Sequence, residues 1–211
     1  RVLIDPWLKD NPSCPENLKE VDDIDLMLVT HGHFDHIGDV TSIAKKTGAA
    51  VICNVELGHW LEKQGVANVR AMNKGGTQEA VGLQITMTTA YHSSGILDGE
   101  NYVYGGEPAG YMVETENEFR FYFAGDTCVF GDMKLIGELY EPELAFLPIG
   151  DHFTMGPREA AKAAHLLGVK MVVPMHYGTF ELLTGTPEAL RESIGSLPIS
   201  VVDLKPGESL E

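Results

Sequence analysis

Apolar residues along this chain fall into short runs bounded by turn-forming or charged segments, a pattern of strands covered on both faces. Leu26 to Val29, Leu144 to Ile149 and Met171 to Pro174 are such runs, and Ala49 to Cys53 and Ile199 to Leu204 read the same way. Arg1 to Ile4 predicts a strand that ends at Asp5-Pro6, because proline offers no further ladder donor. Leu83 to Ala90 alternates like a half-buried strand, and Tyr111 to Glu114 pairs with Phe119 to Ala124 across a turn at Glu116-Asn117. A period near 3.6 predicts helices over Ile37 to Lys46, stopped by Gly48, and over Pro157 to Leu167, stopped by Gly168. Shorter helices are expected at Glu56 to Lys63 and Glu188 to Ile194, with a surface loop over Leu8 to Glu20. The sequence shows no second domain, repeat or low-complexity tract, so one α/β or α+β domain is expected.

The polar positions that break this pattern lie just past the strands. Thr30-His31-Gly32-His33-Phe34-Asp35-His36 follows the run ending at Val29. Three imidazoles and a carboxylate crowded together repel when charged and go unpaired when buried, and a divalent cation removes that cost. Residues two apart in extended chain share a face, so His31 and His33 can grip one ion, while the turn at Gly32 aims Asp35 and His36 elsewhere. His92 follows the strand at Leu83 to Ala90, Asp126 follows Phe119 to Ala124, and His176 follows Met171 to Pro174. Strand followed by ligand is thus repeated, and such tips cluster on one rim of a sheet. Asp126 is read as a carboxylate shared by two cations. Asp151 and His152 sit at another strand tip and are candidates for substrate binding, with loop stabilisation as the alternative. Asp5 is either a carboxylate that orients a ligating histidine or a turn cap. His59 and His165 are assigned no chemistry, and Cys128 is read as buried packing.

Composition narrows the function classes. The chain has 211 residues and a formal net charge of -16. That charge repels phosphate backbones, so no nucleic-acid partner is expected. Three scattered cysteines do not form a disulfide framework and suit a reducing compartment, so a cytoplasmic location is expected. No apolar run reaches the length of a membrane span, and no membrane association is expected.

In its order of candidate ligands, His31-x-His33-x-Asp35-His36, His92, Asp126 and His176, the chain resembles the metallo-β-lactamase superfamily. Leu3-Ile4-Asp5-Pro6, Ala124-Gly125-Asp126-Thr127, Phe153-Thr154-Met155-Gly156-Pro157 and Pro174-Met175-His176-Tyr177 are similar to small metal-dependent hydrolases related to ascorbate-6-phosphate lactonase. The resemblance implies an α+β fold, a four-layer αββα sandwich, spanning residues 1–211 as one hydrolase domain. It also implies that His31, His33 and His92 hold a first ion, Asp35, His36 and His176 a second, and that Asp126 is shared. Relatives carry one or two further strands before the Ile-Asp-Pro turn. The domain is expected to lack these first strands, with residues upstream of Arg1 as the first explanation and a homo-oligomer partner over the exposed sheet edge as the alternative.

The activity so implied is a hydrolase with two divalent metal ions, zinc foremost and manganese, iron or nickel as alternatives. A hydroxide activated by both ions attacks an ester, lactone, amide or phosphodiester bond of a small-molecule substrate. Asp35 and Asp126 are the expected catalytic carboxylates. The alternatives are an iron-dependent redox enzyme of the same superfamily, a nuclease, disfavoured by the charge, and a non-catalytic metal-binding protein. A flavo-diiron protein usually places glutamate where this chain has His33.

Overall fold

The computed structural model describes residues 1–210. In chain order it contains β1 (Val2–Ile4), β2 (Leu26–Leu28), α1 (Phe34–Ile37), α2 (Val40–Thr47), β3 (Ala50–Asn54), α3 (Val55–Lys63) and β4 (Val69–Met72). Then follow β5 (Thr77–Ala80), β6 (Leu83–Thr89), β7 (Gly95–Asp98), β8 (Asn101–Tyr104), β9 (Ala109–Glu114) and β10 (Arg120–Phe123). The chain closes with α4 (Met133–Tyr140), β11 (Leu144–Pro148), α5 (Pro157–Leu167), β12 (Met171–Met175), α6 (Pro187–Ile194) and β13 (Ser200–Val201).

Two sheets stack face to face. The smaller is all parallel, in the order β1-β2-β3-β4, and the larger runs β13-β12-β11-β10-β9-β6-β5. Side chains alternate across each strand, which sorts the apolar runs into three layers. Leu26 and Leu28 of β2 and Ile52 of β3 meet Ile85, Met87, Tyr111 and Val113 of the larger sheet. Their neighbours Met27, Val29, Val51 and Cys53 point outward, where Val40, Ile43, Leu57 and Leu61 of α2 and α3 cover them. On the far side Met112, Tyr122, Ala145, Leu147 and Val172 are covered by Met133, Ala160, Leu167, Leu190 and Ile194 of α4, α5 and α6. Helices, two sheets and helices make the αββα sandwich, with β2 and β3 buried on both faces and Phe121 and Phe123 of β10 only half-buried.

This layering fixes where the strand tips point. Strands β10, β11 and β12 are mutually parallel, and β6 is antiparallel to β9, which is antiparallel to β10. The carboxyl ends of β6, β10, β11 and β12 therefore share one rim. Buried Tyr111 crosses from β9 to the other sheet, where its hydroxyl donates to Val29 O (2.8 Å) and Ile52 O (3.2 Å). That ties the end of β2, and hence the segment at His31, to the same rim.

Two features depart from the sequence reading. The helix expected over Ile37 to Lys46 begins earlier and is broken at Gly38-Asp39 into α1 and α2. The Asp39 carboxylate accepts from Leu8 N (2.6 Å) and Lys9 N (3.1 Å), and Asp39 N donates to Pro6 O (3.0 Å), so the break clamps the loop after β1. Cys128 is exposed rather than buried. Thr127 turns inward instead: its hydroxyl accepts from Tyr91 N (3.0 Å) and its carbonyl from Met155 N (3.1 Å). Strands β4 and β5, hairpin β7-β8 and helix α4 had no counterpart in the sequence pattern. No helix of the described residues is long and apolar enough to cross a membrane.

Candidate metal centre

His31, His33, Asp35, His36, His92, Asp126 and His176 meet at the rim. His31 and His33 lie in the extended stretch after β2, and the single turn of α1 swings Asp35 and His36 to the other side of the cluster. Gly125 makes the approach of Asp126 possible: its φ is 63°, and a Cβ there would lie 2.7 Å from Ala109 O and 2.9 Å from Thr30 Cβ. His176 and Asp5 both hold left-handed backbone, φ 55° and 50°, the kind of strain that persists where surrounding contacts over-determine a site.

Asp126 Oδ2 is the centre of the cluster. It lies 3.1 Å from His176 Nε2, 3.4 Å from His36 Nε2, 3.6 Å from His92 Nε2 and 3.9 Å from His31 Nε2. Around it the donor atoms sort into two sets, His31, His33 and His92 on one side and Asp35, His36 and His176 on the other, each within 4.8 Å of one another. In the second set Asp35 Oδ2 is 3.5 Å from His176 Nε2 and 3.8 Å from His36 Nε2.

A layer of hydrogen bonds fixes which nitrogen of His31, His33 and His36 faces inward. Asp5 accepts from Thr30 N (2.7 Å), from the Thr30 hydroxyl (2.6 Å) and from His36 Nδ1 (2.8 Å). With its proton committed to Asp5, Thr30 Oγ1 accepts from His31 Nδ1 (2.9 Å). One carboxylate therefore turns the Nε2 atoms of His31 and His36 toward the centre. Asp5 thus orients a histidine and also caps the turn after β1. Ser93 Oγ lies 3.2 Å from His33 Nε2, which leaves His33 Nδ1 facing the cluster, 3.0 Å from His31 Nε2.

The electrostatics differ between the two sets. Burial, reinforced by the nearby His36, holds His31 well below the usual histidine pKa. Burial likewise lowers His33 and His92. Burial would also lower His36, but the carboxylates of Asp126 and Asp5 outweigh it and keep His36 well above the usual value. His176 is pushed up to about 9 because hydrogen bonds to Asp126 and Asp35 outweigh its burial. The reciprocal effect holds Asp126 well below the carboxylate range against its own burial, chiefly through His36 and His176.

These residues fit a metal ion. His36 Nε2 and Asp126 Oδ1 are buried with no hydrogen-bond partner in the protein, a costly state that a cation relieves. Imidazole nitrogen and carboxylate oxygen are ligands that zinc and neighbouring divalent metals accept.

Asp151 and His152 do not join the cluster. Both are exposed, with φ of 65° and 40°, and Asp151 Oδ1 accepts from His152 N (2.9 Å) within its own loop. A cavity of about 200 Å³ opens onto the second set only, between Trp7, Phe123, Phe180, Asp35, His36 and His176. Sequence reasoning passed over Trp7, Phe180, Thr30 and Ser93. Each stands within four residues of Asp5, His31, His92 or His176, and that adjacency was the available signal.

Comparison with known proteins identifies the family. Residues 1–177 match the family model described as a β-lactamase superfamily domain. The chain is 53% identical over 208 residues to a UPF0173 metal-dependent hydrolase of Koribacter versatilis, covering 99% of this chain and 88% of that protein. It is 54% identical over 213 residues to one of Rubrobacter xylanophilus, covering 99% and 88%. Among solved structures it is similar to Igni18, a metallo hydrolase of the archaeon Ignicoccus hospitalis, with a TM-score of 0.84 and 36% identity over 99% of this chain and 89% of that one. The chain therefore belongs to the β-lactamase superfamily and, within it, to the UPF0173 metal-dependent hydrolases.

Proposed function

We propose that His31, His33 and His92 hold one divalent cation, that Asp35, His36 and His176 hold a second, and that Asp126 bridges them. The pair serves hydrolysis of an ester, lactone, amide or phosphodiester bond in a small molecule. The observation that carries this reading is Asp126 Oδ2, a buried carboxylate oxygen within 3.1 to 3.9 Å of Nε2 atoms from four histidines on three separate segments. When bound, the ions supply Lewis acidity and lower the pKa of water toward ~7.

The protein's own residues do the rest. Asp126 offsets positive charge on both sides and fixes the separation of the two ligand sets. Asp5 and Thr30 hold the rings of His31 and His36 so that little reorganisation is needed. Asp35 lines the cavity with a carboxylate of two oxygens, one to ligate and one to accept a proton from the attacking water and return it to the leaving group. The donor set favours zinc, with manganese, iron or nickel as alternatives.

Elemental analysis combined with a panel of lactone, ester, amide and phosphodiester substrates tests this. Two equivalents of metal per chain and turnover of at least one class are expected. A coloured, iron-loaded protein that hydrolyses none of them would replace this reading with an iron-dependent oxidation.

A further inference from the structure

The cavity beside the second ligand set is chemically one-sided. Its floor is Asp35, His36, Asp126 and His176, while its walls are Ile4, Trp7, Phe123, Met175, Phe180 and Leu183. Apart from the floor and Asp5, whose oxygens are taken by Thr30 and His36, its only polar lining residues are the uncharged Asn11 and Thr179. Among the described residues that line it there is no lysine or arginine. An anionic group on the substrate, away from the reacting bond, would be desolvated against aromatic rings with no cation to pair with. An uncharged apolar group gains from the same transfer. Size narrows the choice further, because about 150 Å³ already holds benzene, and this cavity offers about 200 Å³.

The wall is also built to stay in place. The Trp7 and Phe180 rings lie 5.7 Å apart, 24° from parallel, and Phe34 meets the Trp7 ring edge-on at 5.6 Å. Gly38 admits the indole, since a Cβ there would stand 2.7 Å from Trp7 Cδ1. Asp39 clamps the backbone on both sides of Trp7 through Pro6 O, Leu8 N and Lys9 N. Phe180 sits in a loop closed by Leu183 N donating to Phe180 O (2.9 Å) and Gly178 N to Leu183 O (3.0 Å). A wall held this way loses little freedom when a ligand seats against it.

We propose that this cavity selects an uncharged carboxylic ester or lactone bearing a ring-sized apolar group, seated against Trp7 and Phe180 with the carbonyl over Asp35, His36 and His176. This deepens the hydrolytic reading above and rests on it for the reaction, though not for the binding. In that reaction the water oxygen forms the new bond to the carbonyl carbon and the acyl carbon–oxygen bond breaks. One water proton goes to the leaving oxygen, and the new carboxylic acid releases the other. An ester so cleaved yields a carboxylate and an alcohol, and a lactone yields a single hydroxy-carboxylate.

The test uses the metal-loaded protein. The chain has two tryptophans, so in a Trp60→Phe background Trp7 is the one indole reporter. 4-Phenyl-2-butanone, an uncharged ketone that is not hydrolysed, is titrated against 2-butanone and 4-(3-oxobutyl)benzenesulfonate, the same phenyl ketone with an anionic group at its far end. The expected result is a saturable change in Trp7 emission, with the phenyl ketone at least about tenfold tighter than either competitor. Phe180→Ala removes that preference, and Phe180→Leu halves it or more if the alanine variant does not fold. The matching activity readout is kcat/KM for γ-phenyl-γ-butyrolactone over γ-butyrolactone, expected to exceed about ten and to fall toward one in Phe180→Ala. The sulfonated ketone binding as tightly as 4-phenyl-2-butanone, or bis(4-nitrophenyl) phosphate turned over in preference to both lactones, would overturn the proposal. Selective ketone binding with no turnover of any substrate would support the cavity's selectivity and remove the hydrolytic reading instead.

Discussion

The two ligand sets flanking Asp126 are built from the same kinds of side chain but sit in opposite electrostatic states. On the first side His31, His33 and His92 are held below the usual histidine pKa by burial, and neutral hydroxyls, Thr30 and Ser93, orient two of them. On the second side carboxylates surround His36 and His176, which keep protons on nitrogens where an ion would bind. The first set is therefore ready for a cation at neutral pH, whereas the second exchanges protons for one. The contrast teaches that histidines on two sides of one carboxylate form unequal sites when the groups beside them differ in charge.

The largest expected effect removes what the two sets share. Asp126→Ala should abolish the bridge, lower kcat by about 10³-fold or more and reduce bound metal below one equivalent, read by steady-state kinetics and elemental analysis. Asp5→Asn keeps the shape but weakens the orientation of His31 and His36 together. It should cost about 10- to 100-fold in metal affinity or activity and affect both sets; an effect confined to one would break the symmetry assigned to Asp5.

Proton exchange sharpens the contrast directly. Filling the second set at pH 7 should release about two protons, from His36 and His176, seen as a buffer-dependent heat in calorimetry. Its affinity should rise with pH until His176 has titrated at about 9. The first set should be independent of pH above the ordinary histidine value of 6.5. The metal-free protein should show the same sign in its stability. His176 and His36 have raised folded pKa values, so their contribution is complete below pH 6.5 and is lost as pH rises through the folded values, about 9 for His176. The thermal midpoint should fall by several degrees between pH 7 and 9.5 without metal, and should not fall with it. Smallest of all, Ser93→Ala should loosen only the first set, by about two- to tenfold.

Much of this arrangement was legible in the residues, and the part that was not has a physical cause. Continuous apolar runs such as Leu26 to Val29 and Leu144 to Ile149 announce strands buried on both faces, and the polar residue after each one marks the rim. Helix α5 is readable from Pro157 and Gly168 because both ends carry their own local chemistry. The break at Gly38-Asp39 was hidden because it is held by Leu8 and Lys9, some thirty residues away, which no local period reports. Hairpin β7-β8 was hidden because its strands are largely exposed, with Tyr102 at 79% and Tyr104 at 64%, so they lack a core pattern. Trp7 and Phe180 drew no reading from the sequence, since the cavity they line exists only after the chain folds.

The most direct test of the central claim is an anomalous-scattering map from crystals of the protein loaded with zinc. Two peaks about 3.5–4 Å apart, one against His31, His33 and His92 and one against Asp35, His36 and His176, with Asp126 between them, are the predicted result. A single peak, or metal bound away from Asp126, would contradict it.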